Sequence, residues 1–451
     1  MNRRAFLKST AAAAAAVPLH ALVARAESLA ASSLRTTGYG PLVTALDETT
    51  GLPLLRLPEG FRYVSFGWAG DVMADGRTTP GRHDGMGAFE AGPGRVRLVR
   101  NHEESAGTPF SSVSYDPAGG GGTTTLEFDT EAGRFVSARG SLSGTIRNCA
   151  GGITPWGSWL TCEETTESSE QPHGYTFEVP ADGLGDPAPI RDMGRFSHEA
   201  VAIDPHTGYV YETEDAGATF SGFFGAASKS GFYRFIPNVP GKLAAGGQLF
   251  MLKVKGRSKF NLGDSFAHGT TFDVEWVPIA KPDDSSRSMP EDFVWSQGRK
   301  LGGATFERLE GCWYGNDCKV YIVSTNGGRG QGQIWVYDPA AEAIALLFES
   351  PGKDVLDKPD HLTVSPRGGL VLCEDGGGDE FLHGLTTTGQ IFTFAQNTVK
   401  LRGERNGLKG DFTSSEWSGP CYSPDGNWLF ANIFDPGITV AITGPWKPGT
   451  L

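Results

Sequence analysis

The chain has 451 residues, with 39 Lys plus Arg against 52 Asp plus Glu and a formal net charge of −13 at pH 7. That balance excludes nucleic-acid binding through a general basic field, and it would repel a phosphate-bearing ligand unless bound cations reversed the local sign. With 63 Gly, 28 Pro and 39% hydrophobic residues, the composition suits a loop-rich β protein and excludes general disorder.

The first predicted element is an export signal. Asn2-Arg3-Arg4-Ala5-Phe6-Leu7-Lys8 reads as a twin-arginine motif, followed by an Ala-rich apolar run and the A-x-A cleavage pattern Ala24-Arg25-Ala26. The run is too short and too Ala-rich for a membrane span, and no later stretch could cross a bilayer. The expected arrangement is a signal over 1–26 and a mature chain over 27–451, exported folded by the twin-arginine machinery to the periplasm or beyond. That route suits a protein that acquires a metal centre before leaving the cytoplasm.

A short phrase then recurs along the chain with a polar residue in a fixed slot. It reads His83-Asp84-Gly85-Met86, Asn148-Cys149-Ala150-Gly151, His198-Glu199-Ala200-Val201, Leu309-Glu310-Gly311-Cys312 and Pro359-Asp360-His361-Leu362. A sixth copy, Gly419-Pro420-Cys421-Tyr422, keeps the frame with Pro420 in the slot. Turns such as Asp204-Pro205-His206-Thr207-Gly208 follow, where Pro and Gly supply the required φ values. A second apolar strand comes next and ends in acids or amides: Asn101-His102-Glu103, Thr161-Cys162-Glu163-Glu164, Glu212-Thr213-Glu214-Asp215 and Cys373-Glu374-Asp375.

Repeats of several strands at this spacing predict an all-β fold, a β-propeller forming a single domain. Six blades are expected, with seven as the alternative. The long gap between the third and fourth slots is read as an insertion around 237–306, which contains strand-like stretches at 249–254 and 272–277. In a propeller the first strand of each blade lines the central channel, so one sequence register becomes a ring of Asp84, Cys149, Glu199, Glu310 and Asp360. Recurring Asp and Gly alone would suit turns, but a Cys in the same register has no turn role.

Carboxylates are hard oxygen ligands suited to calcium, whereas a thiolate prefers iron, zinc or copper. The mixed ring therefore suggests a transition metal beside calcium, against the blander reading of Cys149 as a small buried residue. Arg308 and Lys358 each stand two residues before a slot acid, and residues two apart on a strand share a face. Both could grip phosphate oxygens, or simply pair with channel carboxylates. His198 and His361 each neighbour a slot acid, so alternation turns them to the opposite face; with His102 they are read as core or supporting residues. Of six Cys, 162 and 373 occupy matching strand positions and should be buried, while a Cys312–Cys318 pairing stays open. No Gly-x-Ser-x-Gly elbow or Gly-Lys-Ser/Thr phosphate loop is present, which disfavours a serine nucleophile.

These phrases resemble the PhoX-type alkaline phosphatases. The resemblance is carried by Asn148-Cys149-Ala150-Gly151-Gly152, Thr154-Pro155-Trp156-Gly157-Ser158-Trp159-Leu160-Thr161-Cys162-Glu163-Glu164, Phe196-Ser197-His198-Glu199-Ala200, Glu307-Arg308-Leu309-Glu310-Gly311 and Lys358-Pro359-Asp360. It implies a propeller phosphomonoesterase with iron and calcium in its channel, acting on small phosphate esters outside the cytoplasm. Carried over, Cys149 would bind iron, Glu164, Glu199, Glu310 and Asp360 would bind iron or calcium, and Arg308 would hold phosphate, with Lys358 as a second phosphate ligand. Glu163, beside Glu164, is a further candidate ligand. Direct attack on phosphorus without a phosphoenzyme is expected, as is a monomer. The rival readings are another calcium-dependent propeller hydrolase, of lactonase or phytase type, and a non-catalytic calcium-binding scaffold; neither needs a channel thiolate.

Overall fold

The computed structural model describes residues 38–216, 230–284 and 293–451. The predicted signal over 1–26 lies outside the described residues.

All six recurring phrases form strands: His83–Glu90, Asn148–Ile153, His198–Ile203, Leu309–Tyr314, Pro359–Val364 and Trp417–Tyr422. Each heads an antiparallel unit, and neighbouring heads touch in a closed cycle, the sixth returning to the first. Among the described residues the cycle forms the propeller ring, and its six units, numbered from His83, are referred to as blades. Blade 2 has three strands, ending with Thr176–Pro180; blade 1 has four, ending with Arg134–Thr145. Blade 6 is completed by an early strand, Arg62–Phe66, which pairs with Ile438–Thr443 in register from Thr439↔Phe66 to Thr443↔Arg62.

Part of the segment read as an insertion belongs to the ring itself. Gly247–Val254 is the fourth strand of blade 3, paired with Phe232–Pro237. The extra material begins after it. Thr271–Pro278 pairs with Gly247–Val254 on one side and with Ala343–Glu349 of blade 4 on the other, fusing blades 3 and 4 into one nine-stranded sheet. One short helix, Val294–Lys300, follows.

The apolar cores lie between blades rather than at the axis. One cluster packs Trp68, Phe394 and Trp417 where blades 5 and 6 meet, and another packs Tyr211, Phe306 and Trp335 between blades 3 and 4. Burying such aromatics supplies most of the cohesion of each interface. Cys162 and Cys373 are fully buried as expected. All six cysteines are free, so Cys312 and Cys318 are not bridged.

Every inner strand carries a bulge at one position: between His83 and Met86, Asn148 and Gly151, His198 and Val201, Leu309 and Cys312, Pro359 and Leu362, and Ser418 and Cys421. A bulge adds an unpaired residue and re-aims side chains, and bulges concentrate beside active sites. The slot falls inside each one. This register also corrects the sixth copy. Ser418 matches His83, so the slot residue of blade 6 is Gly419 and not Pro420, a shift of one.

Candidate metal centre and its basic rim

The slot backbone is held by the neighbouring blade. Asn101 Nδ2 donates to the carbonyl oxygens of Cys149 and Ala150 at 2.8 and 2.7 Å, while its Oδ1 accepts from Trp159 Nε1 and Thr161 Oγ1. Thr213 Oγ1 donates to Glu310 O at 2.6 Å, and Asn432 Nδ2 to Asp84 O at 2.6 Å. The amides and the threonine hydroxyl near the ends of the second strands thus fix the slots of adjoining blades.

These contacts gather the slot side chains at the axis. Three overlapping groups have ligand atoms within 4.8 Å of one another: Asp84, Cys149 and His361; Cys149, Glu164 and Glu199; and Glu199, Asp360 and His361. Cys149 Sγ donates to Glu199 Oε1 at 3.1 Å. Glu310 joins from the rim, its Oε1 2.8 Å from Arg308 Nη2. The second oxygen of Glu199, fully buried, has no hydrogen-bonding partner.

Buried acids at such spacing resist ionisation. Burial first, then the neighbouring Glu103, Asp360 and Glu199, push Asp84 well above the carboxylate range. Glu199 is raised to about 8 and Asp360 to about 7, in each case chiefly by burial. Burial and the charges of Asp84 and Glu199 likewise push the Cys149 thiol up. Such a cluster holds protons at neutral pH unless cations take their place. Hard oxygens, one thiol and an unpartnered buried carboxylate oxygen make a donor set that fits bound cations.

A stability prediction follows. Glu199 ionises near 4.5 when unfolded and near 8 when folded, so the folded, metal-free protein binds the extra proton between those values. The stabilisation is present below the unfolded value and is lost as pH rises through the folded one. Chelator-stripped protein should therefore melt at a lower temperature at about pH 9 than at about pH 6, and added divalent cations should reverse the order, as thermal denaturation will read out.

The residues two before the slot form a second layer. Arg82, Arg147, Arg308 and Lys358 all hold this register, and all four adopt left-handed φ values of 44°, 52°, 51° and 49°. That conformation costs a side-chain-bearing residue roughly 1–2 kcal/mol. Backbone bonds tie them to the ends of the second strands: Glu103 N to Arg82 O, Glu164 N to Arg147 O, Thr325 N to Arg308 O and Asp375 N to Lys358 O. Arg147 Nη2 lies 2.7 Å from Glu103 Oε1 and also pairs with Glu164. Arg308 grips Asp215 through Nε and Nη2, at 3.2 and 2.9 Å. Arg308 and Glu310 do meet, as expected, but because the left-handed turn aims Arg308 inward, since it precedes the strand.

Two expectations need correction. Glu163 does not join the centre. Its Oε1 accepts from Ile146 N at 2.9 Å and faces His173 Nδ1 at 2.6 Å, and its Oε2 accepts from Gly174 N at 2.8 Å. The last residue of its strand, it turns into blade 2, whereas Glu164 turns to the axis. His361, expected on the far face, stands in the centre, because the bulge at Pro359–Leu362 breaks the alternation. His198 and His102 are core residues: His198 stacks on Phe196 at 3.6 Å, and His102 bonds Gly81 O and Thr124 Oγ1. Arg82 and Arg147 were missed, although they share the offset that singled out Arg308 and Lys358; Asp215, one of the strand-end acids, takes its place beside Arg308.

A closed ring of β-blades with an acid- and thiol-lined axis under a basic rim defines a propeller whose channel presents a candidate metal site. The profile of the family described as alkaline phosphatase PhoX matches residues 37–141 and 137–437, and the chain belongs to that family. It is accordingly a phosphoric monoester hydrolase. Among solved structures, PhoX of Pseudomonas fluorescens in complex with vanadate, a transition state analogue, superposes with a TM-score of 0.64 at 18% identity, covering 90% of this chain and 97% of that one. A gluconolactonase of Xanthomonas campestris superposes with a TM-score of 0.46 at 14% identity, covering 90% and 98%. No curated protein sequence matches the chain. Among the described residues no helix is long and apolar enough to cross a membrane.

Proposed function

We propose that the chain is an exported alkaline phosphatase that releases phosphate from small phosphate esters at an iron and calcium centre on the propeller axis. The observation that carries this reading is the thiol of Cys149 set among carboxylates beneath the Arg308 guanidinium. Cys149 would hold iron, because a thiolate prefers a transition metal, and Asp84, Glu164, Glu199, Glu310 and Asp360 would share iron and calcium. When bound, those cations supply polarisation of the phosphoryl oxygens and activation of a water nucleophile.

The chain's own groups do the rest. Arg308 presents a planar guanidinium suited to two phosphoryl oxygens, oriented by its grip on Asp215. Lys358 adds a point charge in the same register, and Arg82 and Arg147 complete a rim that draws an anion toward a protein of net negative charge. A thiol in the ring favours this reading over a calcium-only lactonase or scaffold. The twin-arginine motif supports export to the periplasm or beyond, with cleavage near Ala26.

The test is elemental analysis of purified mature protein beside hydrolysis of a chromogenic phosphomonoester at alkaline pH. Iron and calcium near integral ratios are expected, with activity lost on chelation and restored by adding both ions. Calcium without iron, and no phosphate release, would sink the proposal.

A further inference from the structure

The residue following each slot is Gly85, Ala150, Ala200, Gly311, His361 or Pro420. All six line one cavity on the axis, and His361 alone among them has a polar side chain. Its Nε2 lies 3.3 Å from Glu199 Oε1, 3.5 Å from Asp84 Oδ1, 3.6 Å from Asp360 Oδ2 and 3.8 Å from Cys149 Sγ. By distance alone that nitrogen could be a metal ligand or a proton-bearing donor.

The other ring nitrogen decides between them. His361 Nδ1 lies 2.9 Å from the backbone N of Gly419, and a backbone amide can only donate. Nδ1 therefore presents its lone pair, and the ring proton sits on Nε2. A nitrogen carrying that proton has no lone pair to offer a cation. Flipping the ring would set a carbon against Gly419 N–H and leave a buried donor unpaired. Blade 6 is shaped for this contact. Gly419 has φ +55°, and a Cβ there would stand 2.3 Å from Asp84 O, so this slot takes no side chain. It supplies an N–H instead.

We propose that His361 is a positioning residue and not a ligand. Gly419 holds it as the Nε2–H tautomer, and that single N–H points into the cluster of Asp84, Cys149, Glu199 and Asp360, reaching the Cys149 sulfur and leaving the carboxylate lone pairs for the cations. The proposal rests on the metal-centre reading given above. A donor near the Cys149 sulfur also withdraws charge from it, which tunes a bound metal as such outer contacts do.

Long-range proton–nitrogen correlation spectra of nitrogen-15-labelled, metal-free protein should show His361 as the Nε2–H tautomer. As purified, His361→Ala and His361→Gln should both retain the wild-type metal-to-protein ratio. The thiolate-to-metal absorption band should be displaced in His361→Ala and return toward its native position in His361→Gln, whose amide can donate from the same place. An Nδ1–H tautomer overturns the proposal, as does loss of one metal equivalent from a folded His361→Ala. Should the alanine variant fail to fold, the wild-type tautomer still decides. If the wild type itself shows no thiolate band, the metal-centre reading fails, and the tautomer measurement continues to judge His361 on its own.

Discussion

Replacing Arg308 by Ala should lower kcat for a phosphomonoester about 10²–10³-fold while leaving the fold and the metal content intact. That magnitude is typical of removing one preorganised donor from developing transition-state charge. Arg308 reaches the centre with its orientation already set, by a left-handed backbone and by Asp215 on its far side. Arg308→Lys keeps the charge but loses the fork, so its activity should fall between wild type and Ala. Steady-state kinetics, a melting curve and elemental analysis on the same preparations separate the causes. Full activity in a metal-replete Arg308→Ala protein would remove the guanidinium from the reaction path.

The second large effect concerns stability. His173 is fully buried between two carboxylates, with Nδ1 2.6 Å from Glu163 Oε1 and Nε2 3.1 Å from Asp116 Oδ2. Burial opposes a charged ring, but the hydrogen bond and charge of Glu163, then those of Asp116, outweigh it and raise the His173 pKa. Both nitrogens face acceptors, so the ring serves best as an imidazolium tying blade 2 to the loop that follows the second strand of blade 1. His173→Ala would leave both carboxylates without their shared partner. Breaking a buried pair in this way costs about 3–5 kcal/mol. Denaturant unfolding should show the midpoint falling with little change in slope, and a loss below about 1 kcal/mol would mean that water already reaches the pair.

How far the sequence could be read depended on whether a residue's direction follows from simple alternation. The inner strands were legible because an acid or a thiol recurs beside small residues, a pattern that survives in five copies. Gly419 was read one place out because the sixth copy lacks that acid, and only strand pairing reveals its frame. Glu163 and Glu164 could not be told apart, since alternation ends where the strand does. His361 was turned the wrong way because a bulge suspends the two-residue period where it sits. Arg82 and Arg147 needed no structure to be found: the offset that picked out Arg308 applies equally to them.

The pairing of Arg62–Phe66 with Ile438–Thr443 has a consequence for how the protein comes into being. One strand of that last sheet precedes all six inner strands and the other three follow the fifth blade, so the circle cannot shut until Thr443 has been made. Until then the five slot groups, one from each of the first five blades, stand on an arc that is still open. A chain that stopped after the fifth blade would carry all five slot groups on a ring that cannot close. Contacts so distant in sequence also make for slow folding, and closure of the ring is the step that waits longest for its partner.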